Sequence, residues 1–122
     1  MRVATFQLLI KQSVEDVLVS VDEATAAAIR LQTNRTSRLM SVRFVAEYLA
    51  LFKVEVSYWE ALLLVETIKS SYKQDTNLPE GLIGSETISG WVEGVLDSHA
   101  ASVKSADNSR LNKNVSQSEQ SQ

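Results

Sequence analysis

Residues 49–60 run Leu49-Ala50-Leu51-Phe52-Lys53-Val54-Glu55-Val56-Ser57-Tyr58-Trp59-Glu60, and how this stretch is read decides the fold. Two signals compete in it. Val42, Val45, Leu49, Phe52, Val56, Trp59 and Leu63 follow an alternating three-and-four spacing without a miss, the pattern of a coiled-coil-like seam. Against that, Ser57 and Glu60 can form a capping box, which would start a new helix. The unbroken run outweighs the box, and the spacing predicts one continuous helix over about 38–73.

Working outward, residues 1–78 hold neither Gly nor Pro; the only proline is Pro79, and the glycines are Gly81, Gly84, Gly90 and Gly94. These are the strongest breakers of regular structure, so their absence points to long elements. Upstream, Val3, Ile10, Val17, Ala24 and Leu31 recur every seven residues, with Val14, Val21 and Ala28 in the other half of the repeat. That predicts a first helix over about 2–32. The polar stretch 33–37 would turn the chain, with Thr36 or Ser37 as cap. Alternation at Val17, Val19 and Val21, and again at Phe52, Val54 and Val56, is the competing signal for short strands and a mixed fold.

Residues 75–81 read as a loop. A third helix is expected over about 86–100, capped by Ser85 or Thr87, with Ile88, Trp91, Val92, Val95 and Leu96 as its apolar stripe. Residues 102–122, rich in Ser, Asn and Gln, are expected to form a disordered tail. The expected fold is therefore all-α: a long antiparallel, coiled-coil-like hairpin over 2–73, a short third helix closing a helical domain at 101, and a tail.

Composition narrows the chemistry. The 122 residues include 12 Lys plus Arg, 15 Asp plus Glu, one His and no Cys, for a net charge of −3. Without cysteine there is no disulfide, thiolate nucleophile or Cys-based metal site. The acidic balance argues against a surface built throughout for phosphate backbones. No apolar run reaches the ~18–20 residues of a membrane span, and the first residues are too polar for a secretory signal, so a cytoplasmic protein is expected. No Walker A, dinucleotide-binding or EF-hand pattern is present, and no cofactor or metal is implied.

The predicted second helix is apolar on two sides. A second series, Phe44, Tyr48, Leu51, Glu55, Tyr58, Leu62 and Val65, lies about 200° around from the first and is broken only by Glu55. The first helix covers one side; the third, at roughly 22 Å, is too short for the other. Self-association through Phe44, Tyr48, Leu51, Tyr58, Leu62 and Val65 is expected, with a dimer favoured.

Other constellations are weaker. Arg30, Arg35, Arg38 and Arg43 form an acid-free basic cluster that would bind a partner or phosphates, or simply a solvated hairpin tip. Glu15, Asp16, Asp22 and Glu23 read as a solvated face rather than paired catalytic carboxylates. His99 has only Asp97 near it in sequence and reads as a surface residue. Gly90 and Gly94, continued by Ser98, would let a neighbouring helix approach closely. Trp59 and Trp91 read as core or interface anchors. Since no acid, base and nucleophile assemble, the expected function is a non-enzymatic helical interaction protein: a scaffold, adaptor or assembly subunit. The alternative is a small nucleic-acid-associated regulator acting through the arginines.

Overall fold

The structure, a computed structural model, describes residues 3–33 and 38–120, with side chains over 4–32 and 38–103. In chain order its elements are α1 (Val3–Leu18), α2 (Glu23–Thr33), β1 (Leu39–Ser41), α3 (Val42–Leu51), α4 (Tyr58–Tyr72), β2 (Leu82–Gly84) and α5 (Ser85–Gln120). The two strands pair antiparallel, with Met40 opposite Ile83 at the centre of the ladder. Each strand leads directly into a helix, so the order helix, connection, strand, helix occurs twice: α2 to α3, then α4 to α5.

The continuous helix expected over 38–73 is two helices. α3 ends in a Schellman motif: Lys53 adopts a left-handed φ of 62°, its N–H donates to Ala50 O, and the Val54 N–H donates to Leu49 O. The accompanying Leu49 and Val54 are both buried. Residues 54–57 then leave the helix, and α4 begins at the capping box, with Ser57 Oγ accepting the Glu60 N–H and the Ser57 N–H donating to Glu60 Oε1. The uninterrupted seam misled because it records which residues face the core, and both helices face the same one. Val42, Val45, Leu49, Phe52 and Leu63 are all buried, as that spacing implies, whereas Trp59 is exposed.

The first expected helix also divides. The Ser20 hydroxyl donates to Val17 O at the end of α1, and Asp22 caps α2 by accepting the Thr25 N–H at 2.7 Å and the Thr25 hydroxyl at 2.8 Å. The heptad set fails around this break: Val17 just before it and Ala24, Ala28 and Leu31 after it are exposed, while Ile10, Val14, Leu18, Ala26 and Ile29 are buried. A long coiled-coil hairpin is thus replaced by shorter helices packed around one core, chiefly α1 on α4 and α3 on α4. Neither alternating valine stretch is a strand; the ladder lies instead at 39–41 and 82–84.

α5 begins at Ser85 and buries Ile88, Trp91, Val92 and Leu96, matching the expected stripe. It then runs past the expected end near 100, through the segment expected to be a tail, as far as Gln120. No Gly or Pro follows Gly94 to stop it. Among the described side chains, its contribution to the core ends at Leu96.

Candidate functional site

The loop between α4 and α5 is closed by its own polar groups. Asp75 Oδ2 accepts the Gly84 N–H at 2.9 Å and the Thr87 hydroxyl at 2.7 Å, which puts a carboxylate against the N-terminus of α5, where the helix dipole favours it. Lys69 is only 3% exposed. Its ammonium donates to Pro79 O at 3.1 Å and Leu78 O at 3.4 Å and pairs with Glu66 Oε2 at 3.2 Å. That same Glu66 oxygen accepts the Gly81 N–H at 2.9 Å. Gly81 holds φ at +83°, with Val42 Cγ2 3.2 Å from the place a Cβ would take.

Asp75, Asn77 and Glu86 follow the first, third and twelfth positions of a calcium loop, but Pro79 and Glu80 stand where that loop needs a further oxygen donor and a glycine. Among the described residues no group of three or more His, Cys, Asp or Glu side chains is placed to hold a metal ion. Asp75 and Glu66 are engaged instead in hydrogen bonds and an ion pair that hold the loop.

The basic cluster is not one free patch. Arg30 pairs through Nε with Glu93 Oε1 at 2.6 Å and through Nη2 with Asp97 Oδ1 at 2.9 Å, tying α2 to α5. Arg43 pairs with Glu47 at 3.5 Å on the surface of α3. Arg38 is exposed, and Arg35 lies outside the described residues. The lack of acids between residues 24 and 46 concealed the pairings of Arg30, because its partners come from α5, more than sixty positions away in the chain.

The expected self-association face is also divided. Tyr48 and Val65 are buried in the protein's own core and Leu62 is half-buried, so these three do not form an outer face. Tyr48 packs edge-to-face on Phe52, with ring centroids 5.5 Å apart. Phe44, Leu51 and Tyr58 remain outside at 60%, 48% and 65% exposure, joined by Trp59 at 59%. Tyr48 turns inward within α3, onto Phe52, and the break at 52–57 interrupts the single face that the spacing assumed.

The carboxylates of α1 and α2 have separate tasks. Glu15 Oε1 accepts the Trp91 indole N–H at 3.3 Å, and Asp16 accepts an amide N–H from Gln12 at 2.9 Å. The Thr25 backbone N–H, and then its hydroxyl, hold the Asp22 carboxyl below its ordinary range. His99 is exposed, and its sequence neighbour Asp97 belongs to Arg30.

Gly90 and Gly94 do not receive a neighbouring helix, contrary to expectation. A Cβ at either position would meet nothing within 4 Å. They floor a cavity of about 750 Å³ bounded by Tyr72, Asp75, Glu86 and Trp91. A second cavity of about 490 Å³ continues it along α5 to Ser102, sharing Tyr72 and Gly94 and walled by Glu15 and Asp16 of α1. Sequence reasoning noted the small residues but had no means of showing that the space above them is empty.

No protein-family model, curated protein or solved structure matches this chain.

Proposed function

We propose that this chain is a non-enzymatic interaction module that self-associates through exposed apolar side chains on α3 and at the start of α4. The observation that carries this reading is the exposure of Phe44, Leu51, Tyr58 and Trp59, each about half or more open. Phe44 and Leu51 lie two turns apart on one face of α3. Aromatic side chains left in water cover large areas when a partner arrives and dominate many interfaces. A second copy offers the same surface in return, the usual twofold arrangement. In this reading the chain serves as a scaffold, adaptor or assembly subunit.

The phosphate-binding alternative is left with less to stand on, since Arg30 is neutralised by Glu93 and Asp97, leaving Arg38 and Arg43 as its described cations. Among the described residues, no helix is long and apolar enough to cross a membrane.

Sedimentation velocity tests the proposal. The chain is expected to sediment as a dimer at micromolar concentration, and a Phe44→Glu, Trp59→Glu variant as a folded monomer. A wild-type monomer throughout that range, or a variant dimerising as well as wild type, overturns it.

A further inference from the structure

We infer that the groove along α5 is a docking site for a cationic helix of a partner protein, on a surface separate from the one proposed for self-association. Its floor is made by Gly90, Gly94, Ser98 and Ser102, four small residues each one helical turn from the next. Such a line of small side chains lets a second helix axis come close, and no segment among the described residues takes that place. The floor spans thirteen residues, a rise of roughly 18 Å, enough for about three turns of a visiting helix. Together the two cavities, about 750 and 490 Å³, leave room for side chains.

The walls set the partner's chemistry. Glu15, Asp16, Asp75 and Glu86 line the groove together with His99, and neither cavity is lined by a lysine or arginine. Four carboxylates in a concave surface repel phosphate and attract ammonium or guanidinium groups. Tyr72 stands where the two cavities meet, and its ring already carries a cation, the Lys11 ammonium 5.2 Å from the ring centroid. Its phenol is pushed above its ordinary pKa, first by burial and then by the negative charge of Glu15. Trp91, buried at the groove's side with its indole N–H on Glu15, gives an apolar wall near the Gly90 end of the floor. The matching ligand has small or apolar residues along one face and lysine or arginine along the edges of that face.

The test titrates the full wild-type chain with three synthetic peptides, each carrying an N-terminal fluorescein and followed by anisotropy. One is an amphipathic eighteen-residue peptide of Lys, Leu and Ala; one has Glu in place of Lys; one has the first composition scrambled to remove the apolar face. Anisotropy should rise only with the first, its affinity falling at least about tenfold from low to high salt. Gly94→Leu fills the floor and should weaken binding tenfold or more. A Glu15→Gln, Asp16→Asn, Glu86→Gln variant, which keeps the helices intact if Gly94→Leu does not fold, should do likewise. Equal binding of the scrambled or acidic peptide overturns the inference, as does unchanged affinity in a folded variant or no binding to wild type. The oligomeric state, read in the same samples by sedimentation, reports separately on self-association.

Discussion

The Lys69 ammonium lies 3.2 Å from the Glu66 carboxylate, one turn away on α4, and reaches past it to the carbonyls of Leu78 and Pro79. A buried cation is thereby made the fastener of the loop that leads into β2 and α5. Replacing it leaves the Glu66 charge and two carbonyls without it, so Lys69→Met is expected to cost about 3 kcal/mol in urea denaturation. Adding Glu66→Gln should recover part of that loss by removing the uncompensated charge. A single variant as stable as wild type would show that the fastener contributes nothing.

The reciprocal bonds between Ser57 and Glu60 start α4 and hold the break that separates it from α3. Ser57→Ala is expected to lose about 1 kcal/mol. Glu60→Ala should lose less, and the double variant should fall short of the sum, because both changes remove one shared motif. A denaturant cycle over the four proteins measures this.

Lys53 and Lys73 end α3 and α4 in the left-handed region, at φ 62° and 53°. A side chain there costs about 1 kcal/mol that glycine avoids, partly offset by glycine's looser unfolded chain. Lys53→Gly and Lys73→Gly are therefore each expected to raise stability by about 0.5 kcal/mol. Thermal melts that fall instead would show that the lysine side chains have a stabilising role of their own.

The glycines divide by environment. Gly94→Ala meets open space within a helix and should stabilise by about 0.5–1 kcal/mol. Gly81→Ala must hold a positive φ while pressing on Val42, and should destabilise by about 1–2 kcal/mol. Opposite shifts in melting temperature are the expected reading.

Asp22 gives the chain one acid-sensitive cap. Its folded pKa lies below the ordinary 3.8, held there by the Thr25 backbone N–H first and the Thr25 hydroxyl second. A depressed carboxyl adds stability above its unfolded pKa, and that contribution is lost as pH falls from about 3.8 through the folded value. Asp22→Asn keeps a capping oxygen but removes the titration. The variant's stability should fall less steeply than wild type across that window, followed by circular dichroism.

Much of the core was legible in the sequence. The stripe Val42, Val45, Leu49, Phe52 and Leu63 and the stripe Ile88, Trp91, Val92 and Leu96 are buried as their spacing implied. The breaks were harder to read, because lysines at 53 and 73 occupy left-handed positions where glycine gives the usual signal. The candidate sites were less legible still. Phe44, Leu51 and Tyr58 are exposed as a partner surface requires, but Tyr48 and Val65 went to the core. Arg30 found its counter-charges on a distant helix.

By itself, then, the sequence determined the helical character of the chain and the inward-facing stripes of α3 and α5, and it offered Ser57 and Glu60 as a candidate cap. These are local matters of propensity, periodicity and hydrogen bonding between near neighbours. Only the tertiary structure decided that residues 52–57 break a helix, that β1 pairs with β2, and that Lys69 closes the loop before α5. It alone also decided that the small face of α5 lies open beneath four carboxylates. The break is made by bonds between near neighbours that the seam's periodicity masked. The others depend on groups from different elements, or on space left unfilled when the helices pack, and neither is encoded in the spacing of residues along one element.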